Sequence, residues 1–185
     1  MGYDTFYAKE YFNVTPETTI INAAMEPEIE DLAAFLNALG AKIQGAGGPT
    51  ISIDGVEKLG GCEYSVMPDR IEAGTYLIIG SLLGKNLEIK DIEPKHLKAL
   101  LFKLEDSGVK LKIKDNSIIV NKAKKLNPVN IKTDVYPGFP TDLGQPMSTF
   151  LTQCDGECLF NETIYENRLR HIPHLNNMGA DIHAF

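Results

Sequence analysis

At 185 residues the chain has room for one domain or two small ones. An apolar content of 43% with charges of both signs is that of a globular protein, and excludes a disordered one. A formal net charge of −7 argues against a nucleic-acid or anionic-membrane surface, and no apolar run approaches the ~20 residues that a bilayer span needs. The first dozen residues set Asp4, Lys9 and Glu10 among aromatics and lack the apolar core of a signal peptide, so the expected compartment is the cytoplasm.

Residues 18–22 are short and β-prone. Pro27 suits the first turn of a helix, with Glu26 and Glu28 near its positive end. Ile29, Leu32, Leu36 and Leu39 recur at helical spacing, and Gly40 closes the helix as a left-handed cap. Residues 41–44 and 50–53 alternate as a strand pair around Gly45, Gly47 and Gly48. The same unit then returns. Pro94 opens a helix carrying Leu97, Leu101 and Leu104 and ended by Gly108. Residues 109–114 and 117–120 follow as a hairpin across Asp115-Asn116. A third copy runs as a helix from Glu166 through Leu169, Ile172, Leu175 and Met178 to Gly179, with a strand at 180–185.

The spacing is constant. Gly40, Gly108 and Gly179 lie 68 and 71 residues apart, and Asp69 and Asp142, each ahead of a helical run, lie 73 apart. Leu87-Glu88-Ile89 and Leu159-Phe160-Asn161 hold matching strand positions. This predicts an α/β chain built from a repeated strand–helix–strand–helix–hairpin unit. The third copy stops before its second hairpin strand and the first has no recognisable leading helix, so the chain reads as a piece of something larger. An unpaired strand at 180–185 would leave an open edge, which invites self-association.

The cysteines, Cys62, Cys154 and Cys158, are too few and too odd in number for a disulfide framework, and read as small buried or half-buried residues. Asp155-Gly156 between the last two points to a turn. His96, His171, His174 and His183 show no zinc-finger spacing, although His171 and His174 on one helix leave a metal pair as a distant second choice. Lys122, Lys124 and Lys125 read as a solvated turn.

One stretch organises the rest: Tyr136-Pro137-Gly138-Phe139-Pro140-Thr141-Asp142-Leu143-Gly144-Gln145-Pro146. Pro137 and Pro140 fix their own φ and force the preceding residues into extended geometry, so the segment is stiff and non-helical. Thr141 and Asp142 fall where a helix would begin. Taken alone, Asp142 is most simply a helix cap.

Phe139-Pro140-Thr141-Asp142 with Gln145-Pro146 resembles a motif of the UDP-N-acetylglucosamine enolpyruvyl transferases, or 1-carboxyvinyltransferases. Three further stretches agree with that family in the same order. They are Asn22-Ala23-Ala24-Met25-Glu26-Pro27-Glu28-Ile29, Met67-Pro68-Asp69-Arg70-Ile71-Glu72-Ala73-Gly74-Thr75, and Glu162-Thr163-Ile164-Tyr165-Glu166-Asn167-Arg168. The resemblance runs from about Thr18 to the end and implies the enolpyruvyl transferase fold: inverted α/β units with helices inside and sheets outside, in two lobes. On that comparison residues 1–14 are a divergent or foreign start, 15–68 the end of one lobe, and 69–185 part of the second lobe, truncated in its third repeat.

The resemblance also implies a chemistry: transfer of the enolpyruvyl group of phosphoenolpyruvate to the 3′-hydroxyl of UDP-N-acetylglucosamine, the first committed step of peptidoglycan synthesis. A sugar hydroxyl needs a nearby base, and Asp142 matches the family aspartate with that task, its charge favoured by amide donors and the helix dipole. Ile164 matches a position whose backbone meets the UDP-sugar; its plain reading is core packing at a strand end, and the two are compatible. Tyr165 and Arg168 would line the same pocket, or Arg168 would pair with Glu166 or Asp142. No cofactor and no metal are implied. The family's reactive cysteine lies in a glycine-rich loop upstream of anything here, and its phosphate-binding cations are largely absent, so the isolated chain is expected to be inactive. Gly144 replaces a bulkier polar residue. Two other readings stand beside this one: a 5-enolpyruvylshikimate-3-phosphate synthase, and a non-catalytic repeat module for assembly or regulation.

Overall fold

Residues 17–184 are described by a computed structural model, and they divide into two units at the bond between Met67 and Pro68. The expectations for residues 1–14 and for Phe185 lie outside the described residues.

The first unit comprises β1 (Thr18–Ile21), α1 (Pro27–Ala38), β2 (Lys42–Gln44) and β3 (Thr50–Asp54), with the strands in an antiparallel sheet of order β1-β3-β2. Pro27 opens α1 and Glu28 and Glu30 sit in its first turn, where negative charge meets the helix dipole. Gly40, at φ +103°, takes the left-handed position that ends the helix. Asn37 then fixes how the chain leaves it. Its Nδ2 donates to the Ile43 carbonyl and its Oδ1 accepts from the Ile43 N–H, both at 2.8 Å. The buried apolar set is thin, namely Ala33, Ala41 and Ile51. Tyr64 adds a tether: its hydroxyl donates to Asp31 Oδ1 at 2.9 Å, and its ring lies 5.3 Å from that of Phe35.

The second unit begins with α2 (Arg70–Leu83), capped by Asp69, whose Oδ1 accepts from the N–H groups of Ile71 and Glu72 at 2.8 and 3.0 Å. β4 (Leu87–Lys90), a 3₁₀ turn at Pro94–Leu97, α3 (Lys98–Asp106), β5 (Leu111–Ile113) and β6 (Ser117–Val120) follow, with strand order β4-β6-β5. This is the arrangement of the first unit repeated. β7 (Ile131–Lys132), a 3₁₀ turn at Thr141–Leu143, α4 (Gly144–Leu151), β8 (Phe160–Asn161) and α5 (Ile172–Asn177) complete it, β7 and β8 pairing in parallel.

Helices α2, α3 and α4 meet in its interior, and the sheet flanks them. Leu77, Leu104, Ile118, Val120, Leu143, Met147 and Phe150 are all fully buried. Each such side chain contributes on the order of 1.5–3 kcal/mol. Gly74 allows the closest approach: a Cβ there would lie 2.7 Å from Leu143 Cδ1 and 3.1 Å from Leu100 Cδ2. Leu143 therefore seats directly against α2, and with it the turn that carries Asp142.

Two expectations need correction. The third helix does not start at Glu166: residues 166–171 form turns, and α5 begins at Ile172. Asn167 sits at φ +57°, which breaks a helix, and Pro173 lacks an N–H and so belongs in a first turn rather than an interior. Residues 180–184 form no strand, because no neighbouring strand among the described residues bonds to them. They are instead held by Asn176, whose Nδ2 donates to the Ile182 carbonyl at 2.8 Å and whose Oδ1 accepts from the Ile182 N–H at 3.0 Å. The device of Asn37 and Ile43 is thus repeated beyond Gly179 (φ +98°).

Candidate active site

The loop ahead of Asp142 is pinned at both ends. Thr133, just after β7, is fully buried and bridges to Phe139, itself 4% exposed. Between them the Asp134 N–H donates to the Phe139 carbonyl at 3.0 Å and the Gly138 N–H to that of Val135 at 2.8 Å. The Tyr136–Pro137 peptide is cis, and Pro140 is extended. The prolines thus deliver Thr141 into the 3₁₀ turn, whose Leu143 is buried while the Asp142 side chain remains 57% exposed.

Asp142 is not a helix cap. Helix α4 starts only after the 3₁₀ turn, so Asp142 lies inside that turn and makes no capping bond to helix amides. Its Oδ1 instead accepts from Arg168 Nη2, and the Arg168 guanidinium also stands over the Tyr165 ring, 5.0 Å from its centroid. Of the two partners expected for Arg168, the fold selects Asp142. The core-packing reading of Ile164 also fails: the residue is 36% exposed. Its N–H donates to Glu162 Oε1 at 2.8 Å. Asp142, Tyr165 and Arg168 are therefore in contact as a chain of partners, and Ile164 joins them through Glu162.

Glu162 is the residue that sequence reasoning missed. Its Oε1 accepts from the Thr133 hydroxyl at 3.0 Å, the Ile164 N–H at 2.8 Å and the Tyr165 N–H at 3.2 Å. Its Oε2 accepts from the Thr141 hydroxyl at 2.7 Å. Partial burial opposes the charge, but the bonds from Thr141, Ile164, Tyr165 and Thr133 outweigh it and hold the carboxyl below its ordinary value. Thr163 strengthens the junction, its N–H donating to the Thr133 hydroxyl at 2.8 Å. The sequence signal is an acid among strand-end threonines, and it is faint. His171 is pushed below its ordinary value by burial, partly countered by the Arg168 backbone.

The cysteines stand apart. Cys62 is exposed, against expectation, because it lies in an irregular segment. Cys154 and Cys158 are half-buried in a turn after α4, and burial with the neighbouring Cys158 pushes the Cys154 thiol up to about 12, where it is a poor nucleophile. Lys125 pairs with Asp155 at 2.8 Å on the surface. Among the described residues no cluster of three His, Cys, Asp or Glu could hold a metal, and no helix is long and apolar enough to cross a membrane. What the site offers chemically is an exposed carboxylate oriented by a guanidinium on a braced turn, beside a backbone edge and an aromatic ring.

A family model described as EPSP synthase (3-phosphoshikimate 1-carboxyvinyltransferase) matches residues 9–185. The chain belongs to this family of enolpyruvyl transferases. A relative from Prochlorococcus marinus (strain AS9601), a UDP-N-acetylglucosamine 1-carboxyvinyltransferase, is 52% identical over 165 residues, which are 89% of this chain and 36% of the relative. UDP-N-acetylglucosamine 1-carboxyvinyltransferase 2 of Bacillus subtilis (strain 168) is 48% identical over 167 residues, 90% of this chain and 39% of its own length. The chain thus spans well under half the length of these curated relatives. The fold is that of the crystal structure of the enolpyruvyl transferase NikO from Streptomyces tendae, with a TM-score of 0.84 at 24% identity over 94% of this chain and 42% of that one. EPSP synthase from Acinetobacter baumannii matches less well, with a TM-score of 0.59 at 16% identity over 92% of this chain and 41% of that one.

Proposed function

We propose that this chain is a portion of a UDP-N-acetylglucosamine 1-carboxyvinyltransferase of peptidoglycan synthesis and that it supplies the general base, Asp142. The observation that carries this reading is the placement of Asp142: exposed on a braced turn, making no capping bond to helix amides, and paired instead with Arg168. In the complete enzyme the carboxylate takes the proton of the sugar 3′-hydroxyl as its oxygen bonds to the enolpyruvyl carbon, and phosphate leaves. Arg168 orients the carboxylate, Tyr165 supports Arg168, and the Ile164 carbonyl meets the UDP-sugar. Residues 15–68 are the end of one lobe and residues 69–185 part of the second, a reading supported by the break between Met67 and Pro68. The cytoplasm is the compartment implied, since both substrates carry phosphates that do not cross a bilayer unaided.

The relatives named for the UDP-sugar reaction, near 50% identity, support this substrate over shikimate 3-phosphate; the EPSP synthase neighbour stands at 16%. The test is phosphate release from phosphoenolpyruvate, with calorimetric titration of UDP-N-acetylglucosamine, for the full-length gene product and for the 185-residue chain. The expected result is turnover by the former with the UDP-sugar, and no turnover with weak binding at most by the latter. Turnover with shikimate 3-phosphate alone would assign the other reaction. No turnover with either acceptor would favour a role in assembly or regulation.

A further inference from the structure

We infer that Glu162 is a positioning residue for this reaction, one carboxylate that sets the base and the sugar-facing backbone in register. The inference rests on the function proposed above. Glu162 touches none of the reacting atoms. It acts through three segments: the chain just after β7 at Thr133, the turn of Asp142 at Thr141, and the Ile164–Tyr165 backbone.

The two oxygens divide the work. Oε2 holds the hydroxyl of Thr141, the residue directly before Asp142, and so sets the height of the base. Oε1 gathers the N–H groups of Ile164 and Tyr165, which fixes the backbone at Ile164 and holds Tyr165, whose ring lies beneath the Arg168 guanidinium. Thr133, fully buried, anchors the assembly to the sheet through its own bond to Oε1. The carboxylate also lies close to α4: a Cβ at Gly144 would come within 3.9 Å of Oε2. A single side chain thus spans from one side of the site to the other. Asp142 and Arg168 make the pair, and Glu162 fixes both of its ends.

Gln at this position can keep most of the arrangement. Its carbonyl oxygen replaces Oε1, and its amide faces Thr141, whose hydroxyl rotates and accepts. Ala keeps none of it. Thr141→Val cuts only the link to the base.

The experiment uses the full-length gene product, assayed well below the unfolding temperature of each variant. A misplacement of about 1 Å costs up to roughly 100-fold, so Glu162→Ala is expected to lower kcat by about 10- to 100-fold and to raise the KM for UDP-N-acetylglucosamine, with that for phosphoenolpyruvate little changed. Thr141→Val should lower kcat and leave the UDP-sugar KM unchanged, and Glu162→Gln should lose only a few-fold. Amide hydrogen exchange at Ile164 and Tyr165 should accelerate in the Ala variant and not in Thr141→Val. Unchanged kcat in folded Glu162→Ala and in Thr141→Val would overturn the inference, and if the Ala variant does not fold, Thr141→Val decides alone. Wild-type protein that fails to turn over UDP-N-acetylglucosamine would overturn the underlying function instead, while the exchange measurement would still read the Glu162 geometry.

Discussion

The two units use one local plan and bury it differently. Leu32 of α1 and Leu100 of α3 each lie eight residues ahead of the glycine that closes their helix, and both face the same way in the helical period. Leu100 is 1% exposed and Leu32 is 44% exposed. Four residues ahead of the same glycines, Leu104 is fully buried, while Leu36 is half-buried. The strand orders β1-β3-β2 and β4-β6-β5 are equivalent. What differs is company. α3 packs against α2 at the gap left by Gly74, whereas α1 is the one helix among the described residues up to Met67. Periodicity decides which face of a helix is apolar; a neighbouring element decides whether that face is worth several kcal/mol.

The sharpest way to break this comparison is a matched pair of truncations. Leu100→Ala should destabilise its unit by about 2–5 kcal/mol, through lost transfer energy and a residual cavity, whereas Leu32→Ala should cost under about 1 kcal/mol. Urea unfolding of the chain reads both. Equal losses would contradict the burial difference.

A smaller effect tests what the units share. Asn37→Ala and Asn176→Ala each remove two hydrogen bonds at exposed sites and gain some helix propensity, so each should cost roughly 1 kcal/mol. Hydrogen exchange at the Ile43 and Ile182 amides should rise in the respective variant. A large effect at one site and none at the other would break the equivalence of the first and third copies.

The smallest effect is pH dependence in the second unit. His171 and Glu162 both have folded values below their ordinary 6.5 and 4.5. The sign is the same for both: the lowered value means the fold prefers the deprotonated form. Stability from each is therefore complete above the ordinary value and lost as pH falls through the folded one. The unit beginning at Pro68 should weaken from pH 6.5 downward, and again below 4.5. Glu162→Gln should shrink the lower step, to which Glu88 and Asp155, both also held below their ordinary values by lysine partners, contribute as well; the urea midpoint against pH reads the change.

Much of the fold was legible because its signals are local. Gly40, Gly108 and Gly179 close helices at φ +103°, +94° and +98°, and the hairpins turn where glycine or Asp-Asn permits. The third helix was misjudged because Leu169 fits the period, although Asn167 and Pro173 oppose a helix there. Asp142 was singled out by its motif, but its local setting suggested a cap. The intervening 3₁₀ turn, and Arg168 arriving from 26 residues later, are both long-range outcomes. The role of Glu162 was hard to read for the same reason: its hydroxyl donors lie 29 and 21 residues earlier, and the parallel pairing of β7 with β8 brings them together.

The most direct measurement is kcat of the full-length gene product carrying Asp142→Asn. Asn keeps the size of the side chain and can still hydrogen-bond the ground-state hydroxyl, but it cannot take a proton at the pH of the reaction. As a general base contributes about 100- to 10,000-fold, kcat should fall within that range while the affinity for UDP-N-acetylglucosamine changes far less. If Asp142 serves only as the partner of Arg168, the substitution weakens one exposed ion pair and leaves catalysis intact. A folded Asp142→Asn enzyme that unfolds at the wild-type temperature and keeps more than about a third of wild-type kcat would contradict the role assigned to this carboxylate.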